Sequence, residues 1–151
     1  MIKTTEEIIS LLPYQEPFLF VDKIESISDE GCTGYYTLQP DAFFYKGHFK
    51  DHPVTPGVIL TEIMAQIGLV CLGIYLSDVK LQLNQVGVAM SSTHMEFLKS
   101  VLPSEKVKVT SLKQYFRFNK LKCEVRMFNE LNILVAKGTI SGMIVPISNE
   151  K

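Results

Sequence analysis

The stretch Gly57-Val-Ile-Leu-Thr-Glu62-Ile-Met-Ala-Gln66-Ile-Gly-Leu-Val-Cys-Leu-Gly-Ile-Tyr-Leu76 is the most apolar of the chain, and its reading decides the fold. A run of this length can cross a bilayer as a helix. Glu62 and Gln66 are four apart, however, and share one helical face, an awkward placement in lipid. A helix apolar nearly all round is also what a globular core contains when other elements wrap it. Alternating, partly polar strands fill the rest of the chain, so the core helix is the expected reading.

Just upstream, Thr55-Pro56 reads as a helix start, with a hydroxyl at the N-cap and proline at the first helical position, where no amide donor is needed. Inside the helix, Glu62 must lose most of its hydration, so it either finds a partner or takes up a proton. A candidate partner is His48, in Gly47-His48-Phe49-Lys50-Asp51-His52-Pro53-Val54-Thr55-Pro56-Gly57. An imidazole and a raised-pKa carboxyl facing one apolar cavity can exchange protons with a substrate near neutral pH.

The flanking sequence reads as strands. Thr4 or Thr5 can cap a short helix to about Leu12, stopped by Pro13. Strands are expected over 18–27 and 32–38, joined by the turn Ser28-Asp-Glu-Gly31. Residues 40–56, with Pro40, Gly47, Pro53 and Pro56, form an ordered loop of functional length. After the helix, strands are expected over 84–98, 107–115, 121–128 and 133–145. In Leu121-Lys-Cys-Glu-Val-Arg-Met-Phe128, Leu121, Cys123, Val125 and Met127 share one face. Asn129-Glu-Leu-Asn132 reads as a hairpin turn. The result is an α+β chain, an antiparallel sheet wrapped around one long helix, forming a single domain over 1–151. The open face and edges of so small a sheet call for a twin subunit.

Bulk numbers narrow the function. A length of 151 residues suits one domain with a full core, and 21% charged content argues against disorder. A net charge of −1 gives no overall field for nucleic acid or anionic membrane. Cys32, Cys71 and Cys123 form no CxxC pair and no His cluster stands at ligand spacing, so no metal site is expected. Cys71 and Cys123 read as small buried hydrophobes. Met1-Ile-Lys-Thr-Thr-Glu-Glu carries no signal-peptide pattern, which makes the cytoplasm the default expectation.

Three segments together resemble the bacterial (3R)-3-hydroxyacyl-acyl-carrier-protein dehydratases of the hotdog fold, the FabZ type. They are Leu11-Leu-Pro-Tyr-Gln-Glu-Pro17-Phe-Leu-Phe-Val-Asp22, Gly47-His48-Phe49 followed by Pro53, and Pro56-Gly57-Val58 running into Glu62-Ile-Met-Ala65-Gln66. The chain departs from the family at Tyr14-Gln15, where His-Arg is usual, and at Lys50-Asp51-His52. The resemblance implies that His48 and Glu62 are catalytic and meet across a dimer interface, in a homodimer or a trimer of dimers. It also implies that the Gly57 amide polarises a thioester carbonyl, as free N–H groups at a helix N-terminus can. Gly57, Val58, Phe49 and Gln66 are carried over as substrate-binding. Gln66, one turn after Glu62, either orients that carboxyl or satisfies a buried carbonyl.

Other residues keep plainer readings. His52 and His94 are expected to make local hydrogen bonds, Asp22 to be a structural acceptor, and Gly68 and Gly73 to be close-packing points. Phe43, Phe44, Tyr45, Phe49 and Met64 suit an acyl tunnel or ordinary core equally. Lys46, Lys50, Lys99, Arg117, Lys120 and Lys122 would gather at a tunnel mouth to receive an acidic carrier protein. The expected reaction is dehydration of a (3R)-3-hydroxyacyl thioester on acyl carrier protein to the trans-2-enoyl thioester, with no cofactor. A hotdog thioesterase and a non-catalytic subunit of a heteromeric dehydratase are the alternatives. Acyl length stays open, and conventional fatty acids and polyene-type pigments both fit.

Overall fold

Thr4 opens the fold with a reciprocal cap. Its hydroxyl accepts from the Glu7 amide at 3.1 Å, and the Glu7 carboxylate accepts from the Thr4 amide at 2.8 Å. This pair starts helix α1, Thr5–Ser10, whose buried Ile8 points into the core. The computed structural model describes residues 4–77 and 86–146.

Six strands form one antiparallel sheet: β1 Lys23–Ser28, β2 Gly31–Thr37, β3 Val86–Phe97, β4 Lys106–Arg117, β5 Lys120–Phe128 and β6 Leu134–Pro146. Their spatial order is β1-β2-β4-β5-β6-β3, which leaves β1 and β3 as the edges. Alternation in β5 is borne out, with Leu121, Cys123, Val125 and Met127 all fully buried. At the β5–β6 turn the Asn129 side chain accepts from the amides of Leu131 and Ile133. Positions 84 and 85 of the expected third strand lie outside the described residues.

The first strand begins later than expected, at Lys23 and not Phe18. The physical reason is competition for backbone groups. The buried Gln66 amide takes the Phe18 carbonyl and the Phe20 N–H, so this segment is bonded to the helix and not to the sheet. Bonding to β2 starts only with the Asp22 amide on the Tyr35 carbonyl at 2.9 Å, and the paired register begins at Lys23 opposite Tyr35. Asp22 just before it is the structural acceptor anticipated, taking the Thr37 amide at 2.8 Å.

Helix α2, Gly57–Leu76, packs against β2, β4, β5 and β6, and it is mostly buried inside the protein. It starts one residue later than the Thr55 signal suggests. Thr55 shares a hydrogen bond with the Tyr45 hydroxyl at 2.6 Å, Pro56 stands at the N-cap, and no side chain caps the helix. Midway, over Ala65–Val70, the helix widens to a π-turn, and the Cys71 amide bonds back to the Gln66 carbonyl. Gly68 permits close packing there, since a Cβ on it would lie 2.9 Å from Val125 Cγ1 and 3.1 Å from Ser111 Cβ. All three cysteines are buried and free. Burial pushes the Cys32 and Cys123 thiols up to about 12, so they stay neutral and act as packing groups.

Candidate active site

The loop before α2 is built from its own backbone bonds. A 3₁₀ turn, Phe43–Lys46, buries Tyr45, whose hydroxyl reaches Thr55. Phe49 and His52 exchange both backbone hydrogen bonds at 2.9 Å, and the Val54 amide returns to the His48 carbonyl at 3.0 Å. The Thr55 amide then anchors the loop on the Val101 carbonyl at 2.8 Å. The whole turn therefore holds its shape before any ligand arrives.

This backbone fixes the chemistry of His48. Its Nδ1 lies 2.9 Å from the Val54 carbonyl oxygen. A carbonyl can only accept, so in the neutral ring Nδ1 carries the proton and Nε2 keeps a free lone pair. The Phe49 ring stacks on the imidazole, with centroids 3.8 Å apart at 28°. Orientation and tautomer are thus set by two neighbours, leaving Nε2 as a base.

Glu62 stands one turn and a half into α2 and is half-buried. Burial pushes its carboxyl above the ordinary glutamate range, and a hydrogen bond from Gln66 acts in the opposite sense. Gln66 Nε2 donates to Glu62 Oε2 at 3.0 Å and to the Phe18 carbonyl at 3.0 Å, while Oε1 accepts from the Phe20 amide at 2.8 Å. Both readings of Gln66 therefore hold at once: it orients the carboxyl and satisfies the backbone. It is fully enclosed, so it acts on the site through Glu62.

Tyr14, which the sequence reading did not single out as a site residue, lies near this carboxyl. Burial pushes its phenol up, and the charge of Glu62 adds to the effect. The signal was present as the departure from the family's usual His at this position.

At the helix start, Gly57 lies beneath the Phe97 ring, and a Cβ there would stand 3.2 Å from it. A groove bounded by Val54, Thr55, Gly57, Leu60, Phe97 and Leu98 opens here. Val58 and Phe49 are exposed, at 77% and 53%. Phe43 is exposed as well, whereas Tyr45 and Met64 are buried, so the aromatic and Met set divides between surface and core.

The basic residues do not gather within one chain. Lys46, Lys50 and Lys99 lie near the loop and the helix start, while Arg117, Lys120 and Lys122 sit at the far end of β4 and β5. His48 bonds to Val54 and Glu62 to Gln66, not to each other. Among the described residues no hydrogen bond or ion pair joins them, and no His, Cys, Asp or Glu group is placed to hold a metal.

Comparison with known proteins follows from this geometry. The FabA-like domain family matches residues 12–136. In solved structures, the dehydratase heterocomplex ApeI:P from Xenorhabdus doucetiae superposes with a TM-score of 0.77 at 11% identity, covering 97% of this chain and 93% of that one. A thioesterase from Haemophilus influenzae gives a TM-score of 0.71 at 12% identity over 100% and 97% of the two chains. These two share the fold, which is the hotdog architecture. The 3-hydroxyacyl-[acyl-carrier-protein] dehydratase FabZ of Syntrophomonas wolfei is 36% identical over 108 residues, covering 71% of this chain and 72% of its own length. The chain belongs to the FabA-like family, in its FabZ branch.

Proposed function

We propose that the chain dehydrates a (3R)-3-hydroxyacyl thioester on acyl carrier protein to the trans-2-enoyl thioester. The reading rests on one pairing: a carboxyl raised by burial, at Glu62, and an imidazole whose Nε2 is free, at His48, within a FabZ-type fold. The Gly57 N–H, at a helix end that no side chain caps, bonds the thioester oxygen and acidifies the α-carbon. His48 Nε2 takes the α-proton. The α-carbon electron pair forms the double bond, the C–O bond breaks, and the Glu62 proton leaves with the hydroxyl as water. The proton on His48 then returns to the Glu62 carboxylate, so the cycle needs no other reactant.

The thioesterase alternative asks a carboxylate to activate water as a base. Burial favours the protonated form of Glu62, which suits an acid better than a base. A non-catalytic subunit has no use for a buried carboxyl held by a dedicated amide. The test is mass spectrometry on a panel of 3-hydroxyacyl carrier-protein thioesters. Loss of water with the acyl group retained is expected; release of the acyl group overturns the reading.

Assembly completes the site. β3 is an edge strand exposed over most of its length, and a second copy can pair with it along a two-fold axis. Such a dimer gives His48 of one chain access to Glu62 of the other, alone or as three dimers, in the cytoplasm. Val58 and Phe49, exposed in one chain, then line the shared site.

A further inference from the structure

A groove of about 540 Å³ opens beside the 3₁₀ turn Phe43–Lys46, and none of His48, Gly57 or Glu62 lines it. Its size is that of a small-molecule site. Two turns give it fixed walls. The Phe18 amide returns to the Gln15 carbonyl at 2.8 Å on one side, and the Ala42 amide to the Gln39 carbonyl at 3.1 Å on the other. Phe20 and Tyr36, packed edge to face with ring centroids 5.5 Å apart, form the buried floor. Phe43, more than half exposed, adds a third ring at the surface.

Tyr36 carries a feature that packing does not ask for. It occupies an inward position on β2, opposite Val107, and only 6% of it is exposed. The phenols on either side of it in the fold are satisfied, Tyr35 by Glu25 and Tyr45 by Thr55. Among the described residues the Tyr36 hydroxyl makes no hydrogen bond. Every fully enclosed side-chain nitrogen or oxygen among them does have a partner. The Tyr36 hydroxyl therefore reaches the groove, where its oxygen is free to accept. A nearly enclosed hydroxyl loses hydration without compensation, and phenylalanine would fill the same space.

The charges around it share one sign. Burial pushes the Tyr36 phenol up to about 12, and the charges of Asp22 and Glu16 add to the effect, so both carboxylates lie within electrostatic reach. Glu16 and Asp41 stand exposed on the rim, and Lys46 is the one opposing charge there. Among the described residues the single ion pair is Lys137–Glu96, so neither rim carboxylate is neutralised. Three carboxylates against one lysine repel anions. Aromatic rings beneath them attract cations and pack against methylenes.

We propose that this groove binds a small free amine in its ammonium form. The Tyr36 oxygen accepts one N–H, Glu16 and Asp41 supply the countercharge, and the alkyl chain lies against Phe20 and Phe43. A quaternary ammonium satisfies the rings but has no proton for Tyr36, so a primary amine fits better.

The experiment is an NMR titration of the full-length protein with n-butylammonium, n-butanol and tetramethylammonium. Amide shifts should centre on Tyr36, Ala42 and Phe43. Butylammonium should bind about tenfold more tightly than butanol, which lacks the charge, and more tightly than tetramethylammonium. Tyr36→Phe keeps the packing and should bring the two ammonium probes to equal affinity. Glu16→Gln/Asp41→Asn changes only exposed side chains; it should weaken butylammonium about tenfold and leave butanol unchanged. Added salt should weaken butylammonium alone. No binding, shifts centred elsewhere, or equal affinity for butylammonium and butanol overturns the site. Nα-acetyl-lysine N-methylamide bound more than about tenfold tighter than butylammonium would mark a protein lysine as the occupant and overturn the free amine. None of these readings involves dehydration, so the site stands or falls apart from that activity.

Discussion

Gln66 holds Glu62 at 3.0 Å from one helical turn away, and the same amide fastens the segment carrying Phe18 and Phe20 to the helix. One side chain therefore couples the position of the candidate acid to the path of the chain into β1. Gln66→Leu removes both functions. It leaves the part-buried Phe18 carbonyl and the buried Phe20 amide without this partner, which should cost about 2–6 kcal/mol of stability at roughly 1–3 kcal/mol for each. It should also move the Glu62 pKa further up, because the bond it loses opposed the effect of burial. Urea denaturation and the pH dependence of residual activity measure the two effects separately.

Glu62 makes stability depend on pH in a definite sense. Its pKa is raised in the folded protein, so over the window above the unfolded glutamate value, about 4.3, the unfolded chain binds fewer protons than the native one. Stability should therefore decline as pH rises through that window and level off above the folded pKa. Glu62→Gln abolishes this decline. The variant should be more stable than wild type at neutral pH and indistinguishable from it below about pH 4. Denaturant midpoints at the two pH values decide the matter, and an equal midpoint difference at both would contradict the assignment.

Removing either half of the catalytic pair, by His48→Ala or Glu62→Gln, should lower the dehydration rate about 10²–10⁴-fold in a folded protein. In wild type, the rate should fall on the alkaline side, as Glu62, raised by burial, loses the proton that the leaving hydroxyl needs.

If the site is shared, the two inactive variants should complement each other. Random exchange makes about half of the dimers mixed, each with one intact site, so about a quarter of wild-type activity should return. Exchange shown by mass-labelled subunits without any recovery would place both groups in the same chain's site.

Two glycines separate function from packing. Gly68→Ala drives a Cβ to 2.9 Å from Val125 Cγ1 and should cost ~1–3 kcal/mol through overpacking. At Gly57 the added Cβ meets only the half-exposed Phe97 ring, which can shift. Gly57→Ala should leave the melting temperature intact but crowd the amide that, in the proposed mechanism, receives the thioester oxygen. A fall in kcat/KM of about ten- to a hundredfold is expected.

The sequence made the architecture legible wherever one physical signal dominated. The run from Gly57 to Leu76 could only be a membrane span or a core helix, and the polar face at Glu62 and Gln66 pointed to the core. Alternation from Leu121 to Met127 marked the inward face of β5 without ambiguity. The start of β1 was not legible, because its backbone bonds go to a side chain more than forty residues away, at Gln66. The missing helix cap was hidden in the same way, since the Thr55 hydroxyl is held by Tyr45. The π-turn left no mark in a stretch where every residue is apolar or small apart from Gln66. In the candidate site, residue types and spacing nominated His48 and Glu62. The base nitrogen, by contrast, emerged only once Val54 was seen to hold Nδ1.

The open end of α2 has one more consequence. No side chain caps this helix, and in the proposed mechanism a bound acyl oxygen takes that place. The ligand then serves as a structural member as well as a reactant. Its arrival finishes the first turn of the helix on which Glu62 sits. An occupied site should therefore be the stiffer and more heat-resistant form of the molecule, by an amount that grows with ligand concentration.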